Sequence, residues 1–128
     1  MKYEPKLEKE RMCPIEYGLD IFGGKWKSRI LCVLSSRAFM RYSDIRKELG
    51  NITDAVLAAM LKEMMGDDLI TRIQYNEIPP RVEYGLTEKG KSALPILQSI
   101  CHWSRQHTRD QIEKKLAPCR TYDQLYCE

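Results

Sequence analysis

The chain has 128 residues, 21 of them Lys or Arg and 18 Asp or Glu, so that its formal net charge is only +3. This length predicts one domain that buries roughly two-thirds of the surface of its unfolded chain, and the mild charge does not by itself indicate a polyanionic partner. We expect a cytoplasmic protein without a membrane partner, because no run of about 18 apolar residues exists and the charged start MKYEPKLEKERM lacks the apolar stretch of a signal peptide.

The basic charge is distributed unevenly along the chain. Residues 25–47 contain seven basic residues and one acid, whereas residues 48–68 contain one lysine and five acids. Basic charge is therefore concentrated just before a predicted helix over residues 53–65. Four cations in or near this concentration are interpreted as a solvated face and not as site residues: Lys25, Lys27, Arg46 and Lys47.

The N-terminal third predicts an arm and two short helices. Residues 1–12 alternate in charge and predict a solvated N-terminal arm. A helix is expected to begin at Pro14, which suits the first helical position, and to end at Gly23-Gly24. The segment KWKSRILCVLSS follows as a second helix, whose core face is predicted from the spacing of Trp26, Ile30, Val33 and Leu34.

Two further short helices form a helix-turn-helix pattern. The first spans residues 42–50, with Ser43 as a possible cap. The second spans residues 53–65, with Thr53 as a plausible N-cap and Asp54 in its first turn. The connection between them is short, as in the helix-turn-helix motif.

A β-hairpin is predicted after this motif. The segments LITRIQY and RVEYGL contain many β-formers and flank NEIPP, whose two prolines belong in the connecting loop. The predicted fold is therefore mostly α with a small β-hairpin, a winged helix-turn-helix. Such a fold places one helix in the major groove and the hairpin loop near the adjacent backbone or minor groove. The same shape also serves as a protein-binding or structural module.

A long helix over residues 87–116 closes the domain, and Pro95 is expected to kink it. Its apolar residues form two adjacent stripes, a surface wider than one small domain needs, so a partner helix could use the second stripe. The first stripe is Leu94, Leu97 and Cys101, and the second is Ile96, Ile100 and Trp103. We therefore divide the chain into the N-terminal arm, a domain of residues 13–110 and a C-terminal extension of residues 111–128.

Several motifs together resemble one known family. They follow in order over residues 13–107 and are Cys13-Pro14, GGKWK, YSDIRKEL, ITDAVLAAMLKEM, GDDLI, PPRVEYGLTEKG and LPILQSICHW. In these motifs the chain is similar to the HxlR-type bacterial transcriptional regulators, relatives of the MarR group. The resemblance implies a homodimer that binds double-stranded DNA at a pseudo-palindromic operator and dimerises through its N- and C-terminal helices. The implied interface residues are Ile15, Leu19, Ile96, Ile100 and Trp103.

The outward face of the helix over residues 53–65 carries few polar groups. At 100° per residue, Met60, Leu61 and Met64 cluster with Leu57. The opposite face, expected to enter the major groove, consists of Ala55, Ala58, Ala59 and Lys62. Members of the family usually have polar or basic side chains at several of these positions, which can bond base edges.

Two interpretations of this alanine face stay open. The favoured one is that affinity comes from phosphates and DNA shape, with modest readout that favours A·T-containing sites. The alternative is that DNA binding is weak or lost and that a protein partner takes its place.

Residues at the starts of the two helices of the helix-turn-helix pattern are also predicted to contact DNA. Arg41, Ser43 and Thr53 lie where side chains and N–H groups suit a phosphate oxygen. Ordinary capping is the alternative for Ser43 and Thr53. Asp54, which follows Thr53 in the first turn of the helix over residues 53–65, is also predicted to contact DNA.

The predicted wing contributes one further residue. Arg81 follows the two prolines at the hairpin tip and matches the wing arginine of the family. Contact with a phosphate or with the minor groove is favoured over a solvated charge or a salt bridge with Glu83.

Cys13 is the cysteine that stands out. It precedes a proline at a helix start, where partial positive charge favours the thiolate that oxidants and electrophiles attack. Some members of the family sense quinones, disulfide stress or hypochlorite at this position, so the resemblance implies a sensor role for Cys13; a purely structural role is the alternative. Cys32 and Cys101 are interpreted as buried fillers, and Cys119 or Cys127 could resolve an oxidised Cys13.

No enzyme, metal or cofactor is predicted. The five cysteines include no C-x-x-C pair, His102 and His107 lie on different helix faces, and no Ser-His-Asp order, phosphate loop or H-E-x-x-H occurs. The chain is interpreted as a homodimeric transcription regulator, a repressor, that responds to an oxidant or electrophile through Cys13. The alternative is a winged-helix protein-interaction module.

Overall fold

A computed structural model of the protein describes residues 13–107, which form five helices and three strands. In chain order these are α1 (Pro14–Phe22), α2 (Lys27–Leu34), β1 (Met40–Arg41), α3 (Tyr42–Leu49), α4 (Asp54–Gly66), β2 (Ile70–Tyr75), β3 (Arg81–Leu86) and α5 (Glu88–His107). The predicted arm, the extension over residues 111–128 and the last part of the predicted final helix lie outside the described residues. The mostly helical winged helix-turn-helix prediction is confirmed.

The three strands form one antiparallel sheet in the order β1-β3-β2. The predicted hairpin is present, and its register runs from Ile70↔Leu86 to Tyr75↔Arg81. The third strand was not predicted from the sequence: β1 pairs with β3 through Met40↔Tyr84. A two-residue strand has no apolar alternation that a sequence could reveal, and β1 exists because the hairpin offers it an edge.

The proline and glycine signals at the helix ends are confirmed. Pro14 is the first residue of α1, and the glycines that follow α1 and α3 include Gly24 and Gly50 with φ of +82° and +84°. Positive φ values favour glycine over residues with a Cβ atom. Pro95 lies inside α5, as predicted.

One contiguous core joins the helices to the sheet. Of the predicted core face of α2, Ile30 and Leu34 are buried, whereas Trp26 and Val33 are half-buried against the core. Leu31 is also buried, because α2 contacts α3, α5 and β3 and is therefore enclosed on several sides. The other buried side chains include Ile45, Leu49, Leu57, Leu61, Met64, Leu69 and Leu97.

The start of α5 packs very closely against the segment before β2. A Cβ atom added at Gly90 would overlap the carbonyl oxygen of Leu69. Thr87 strengthens the same junction, because its hydroxyl donates to the carbonyl of Asp68 at 2.6 Å. Within residues 13–107, no helix is both long enough and apolar enough to cross a bilayer.

Candidate nucleic-acid interface

The start of α4 is fixed to α3 by side-chain contacts. The hydroxyl of Thr53 accepts a hydrogen bond from the backbone N–H of Val56 at 3.2 Å, which confirms Thr53 as the N-cap. Oδ1 of Asp54 lies 3.0 Å from Nε of Arg46 and 3.2 Å from the hydroxyl of Tyr42. Partial burial, together with the hydrogen bond to Asp54, raises the pKa of Tyr42 above its ordinary value of 10.0. These contacts orient α4 relative to α3.

Asp54 and Arg46 therefore contact each other, which the sequence did not predict. Asp54, predicted to contact DNA, already has two partners within the protein. Arg46, interpreted as part of a solvated face, is one of them. A contact between Asp54 and DNA stays a prediction.

The two faces of α4 are divided as the helical period predicted. Leu57, Leu61 and Met64 are buried and Met60 is half-buried. The opposite side is exposed, and we call it the reading face: Ala55, Ala58, Ala59 and Lys62. This face offers methyl groups and one ammonium group to a ligand, so direct hydrogen bonding with base edges would be limited to Lys62.

The start of α3 differs from the prediction at one residue. Arg41, and not Ser43, occupies the cap position, and Ser43 is the second residue of the helix. The interpretation of Ser43 as a cap was wrong, because the two-residue strand β1 runs directly into α3. Both side chains are exposed, and phosphate contacts by Arg41 and Ser43 stay predictions.

The wing consists of β2, β3 and the exposed loop of residues 76–80. Arg81 lies at the first position of β3, below the tip at which the sequence placed it. Its guanidinium carbon lies 3.9 Å from the centre of the Tyr75 ring, and its terminal nitrogens lie 3.1 Å from Glu77 Oε1 and 3.9 Å from Glu83 Oε2. The pKa of Tyr75 is raised above 10.0, mainly by its hydrogen bond with Glu83.

Arg81 is thus surrounded by one ring and two carboxylates in the isolated chain. The salt bridge with Glu83, the less favoured alternative at the outset, is present. Glu77 and Tyr75 were not anticipated, although the strand register that places Tyr75 opposite Arg81 follows from the hairpin. A DNA contact by Arg81 stays a prediction.

Three of the seven cations in residues 25–47 form ion pairs with carboxylates of the same chain: Lys27, Arg37 and Arg46. Lys27 is only 6% exposed, donates to the carbonyl of Asp20 at 2.6 Å and lies 3.6 Å from Oε2 of Glu63. The interpretation of Lys27 as a solvated cation was therefore wrong, because the side chain turns inward between α1 and α4. Arg37 lies within 4.0 Å of carboxylates on α3. The surface is less basic here than the residue count suggested.

Cys13 is exposed and occupies the cap position of α1, where its carbonyl accepts a hydrogen bond from the N–H of Tyr17 at 3.2 Å. Cys32 and Cys101 are only partly buried, and Cys32 packs against the core. Cys119 and Cys127 lie outside the described residues. A redox role of Cys13 stays a prediction.

The residues predicted to form a dimer interface are all exposed. On α1, Ile15 and Leu19 are 71% and 65% exposed, and on α5 the side chains of Ile96, Ile100 and Trp103 are 50%, 49% and 64% exposed. We call these five residues the apolar stripes. They comprise the second predicted stripe of the last helix together with the two residues of α1, and the first predicted stripe is not part of them. Nζ of Lys89 donates to the hydroxyl of Tyr17 at 2.9 Å, which links α1 to the beginning of α5. In residues 13–107, no three residues of metal-ligating type are grouped as a metal site requires.

Comparison with known proteins gives consistent matches. Residues 21–112 match the HxlR-like helix-turn-helix family. An uncharacterized HTH-type transcriptional regulator of Methanothermobacter thermautotrophicus is 43% identical over 102 residues, covering 80% of this chain and 77% of the relative. The redox regulator HypR in its reduced form is 33% identical, with a TM-score of 0.72 over 80% of this chain and 99% of that chain. The reduced form of the transcriptional regulator YodB of B. subtilis is 29% identical, with a TM-score of 0.69 over 77% of this chain and 97% of that chain.

Proposed function

The chain belongs to the HxlR-like helix-turn-helix family of transcriptional regulators, and we propose that it is a homodimeric, sequence-selective DNA-binding repressor that acts in the cytoplasm. One α4 helix of each protomer enters the major groove of each half of a pseudo-palindromic operator. The observation that carries this proposal is the reading face, which is exposed along α4 while the opposite side of the helix is buried.

The contacts with DNA are divided between shape and charge. Alanine side chains let the helix backbone approach the groove closely, and their methyl groups can contact thymine methyl groups. Lys62 adds a cation, and Arg41, Ser43 and Thr53 lie at helix starts where phosphates bind. The resulting selectivity depends more on DNA shape and deformability than on hydrogen bonds with bases.

Dimerisation is supported by the apolar stripes. Five large apolar side chains at 49% exposure or more, on two helices that Lys89 and Tyr17 link, form a surface typical of protein contacts. Two reading helices on one dimer suit a pseudo-palindromic operator.

Oxidation or alkylation of Cys13 is the proposed signal. The thiol is exposed at the cap position of α1, which carries part of the apolar stripes. HypR is a redox regulator, and YodB was also solved after diamide treatment. A covalent change at Cys13 would alter how α1 packs in the dimer and thus the angle between the two reading helices.

A second candidate function is a protein-interaction module that retains the fold without DNA recognition. The observation that favours it is the small number of polar groups on the reading face, together with the carboxylates that already contact Arg81. Salt distinguishes the two functions. When binding depends on several phosphates, the logarithm of the affinity falls steeply and linearly with log[salt], whereas the affinity of an apolar protein contact barely changes.

The test is fluorescence anisotropy of the reduced protein with tiled duplexes from upstream of its own gene, with nonspecific competitor and a salt series. We expect one duplex to bind at least about 1,000-fold more tightly than the others. Uniform weak binding, or none, would contradict the proposal and favour the interaction module.

Two substitutions of alanine by glutamate test whether α4 enters the major groove. In Ala58→Glu the new carboxylate lies four residues before Lys62, an order that stabilises a helix, so the fold should be retained. Because the charge repels phosphates, affinity for the selected duplex should fall by about tenfold or more. Ala38→Glu, the same change at an exposed alanine outside α4, is the matched control and should bind nearly as the parent does.

A further inference from the structure

The tip of the wing presents an apolar side chain to its surroundings. Ile78 is 102% exposed, and no other large hydrophobic side chain in residues 13–107 is more than 71% exposed. It stands in the middle of the loop of residues 76–80, followed by Pro79 and Pro80. One exposed isoleucine is ordinary on a protein surface, so the charges and the stiffness of the surrounding loop decide its meaning.

The charges next to the tip neutralise each other. Residues 76–81 contain one acid, Glu77, and one base, Arg81, and these two pair at 3.1 Å. The guanidinium group of Arg81 also lies over the Tyr75 ring, and Glu83 approaches it from β3. The outermost part of the wing is therefore apolar, and the cation next to it, Arg81, is held back against the strands.

The loop is also stiff. Two consecutive prolines fix their own φ angles and restrict the residue that precedes them. Below them, the Tyr75↔Arg81 pair closes the hairpin, and the contact between the two side chains holds its end together. A rigid apolar tip loses little conformational entropy on binding, which suits a side chain that enters a narrow space.

We propose that the wing acts on DNA as an apolar wedge. Ile78 enters the minor groove and packs against sugars and base edges at one base step, where it partly unstacks the bases. Arg81 is a positioning residue that braces the wing through Tyr75, Glu77 and Glu83, in place of the phosphate or minor-groove contact predicted from its sequence position. This inference rests on the proposed DNA binding and identifies a second source of shape-dependent selectivity. Flexible pyrimidine–purine steps under the wing would be preferred.

The experiment uses the full chain and the duplex that it binds most tightly. 2-Aminopurine placed in turn at each step beneath the wing reports local unstacking by a rise in fluorescence. We expect such a rise at one step with the parent protein. Ile78→Ser should abolish the rise and lower affinity by about tenfold or more, as expected for the loss of one buried isoleucine side chain, without changing the slope of log affinity against log[salt]. Because Ile78 is fully exposed, this change should leave the thermal unfolding temperature unaltered.

Two further variants complete the test. Asn76→Ser changes an exposed polar neighbour in the same loop and should behave as the parent does. Arg81→Gln should lower affinity and the 2-aminopurine signal while leaving the salt slope unchanged, because no phosphate contact is lost. If Arg81→Gln instead reduces the slope by about one and Ile78→Ser binds as the parent, the wing is cationic and the wedge is wrong.

The two proposals can fail separately. Selective binding that is unaffected by Ile78→Ser overturns the wedge alone. If the parent protein selects no duplex, the proposed function and the wedge are both overturned.

Discussion

Cys13 combines an exposed thiol with a position at the end of a helix that carries apolar surface. It is exposed at the cap of α1, and Ile15 and Leu19 of the same helix belong to the apolar stripes. A modification at this residue would therefore be next to a protein surface available for dimer contacts. The two other cysteines within residues 13–107 are partly buried, so oxidants in solution reach them less readily.

Replacing Cys13 tests its proposed role as the sensor. Cys13→Ser should bind the selected duplex as the reduced parent does, because the thiol makes no side-chain cap hydrogen bond that serine would lose. Diamide should weaken DNA binding by the parent and leave the variant unaffected, as measured by anisotropy before and after treatment. Cys101→Ser is the control and should retain the response. A Cys13→Ser variant that responds as the parent does would show that the signal enters elsewhere.

Single residues also differ in how well the sequence predicts their partners. Thr53 was predicted correctly, because an N-cap depends on residues within one turn. Ser43 was not, because the start of α3 is set by a strand that pairs with β3. The pairing of Arg81 with Glu77 required knowledge of how the loop folds over the strand ends.

At the scale of elements, Lys27 joins α1 to α4. Its ammonium group donates to the carbonyl of Asp20 near the end of α1 and lies 3.6 Å from Glu63 on α4. A buried ammonium group requires such partners, because desolvation of an unpaired charge is costly. The contact connects α1, for which Cys13 is the N-cap, to α4, which carries the reading face.

Removal of this link should destabilise the fold. Lys27→Ala deletes a hydrogen bond and a partly buried ion pair, and should lower the free energy of unfolding by about 2–3 kcal/mol. Lys25→Ala removes the same charge from an exposed side chain 4.7 Å from the Trp26 ring and should cost less than about 1 kcal/mol. Urea unfolding at neutral pH measures both. Equal losses in the two variants would mean that the contacts of Lys27 add nothing beyond its charge.

At the scale of the whole molecule, the apolar stripes require an explanation that one chain does not provide. Ile96, Ile100 and Trp103 lie on a face of α5 next to the face that carries the buried Leu97, and they are 49% exposed or more. Ile15 and Leu19 add to this apolar surface from α1. A second copy that covers the stripes would remove them from water and place two α4 helices on one assembly.

Charge within the stripes should disrupt the assembly. Ile100→Glu places a carboxylate where the proposed partner packs, and burial of an unpaired charge is strongly unfavourable. We expect the parent to sediment as a dimer and this variant as a monomer that retains its helical circular dichroism. Thr71→Glu, the introduction of the same group at an exposed residue of β2, should remain dimeric. A parent that sediments as a monomer at micromolar concentration would contradict the proposed dimer.

The order of the helices and the hairpin, the helix-turn-helix and the exposed face of α4 could all be predicted from the sequence. These features depend on apolar periodicity, caps and turn residues within a few positions of one another, so local interactions are sufficient to specify them. The third strand, the burial of Lys27 and the pairing of Arg81 with Glu77 became known only from the folded structure. Each of these depends on which groups the folded chain brings together, because strand edges and buried charges acquire their partners only when separate elements pack.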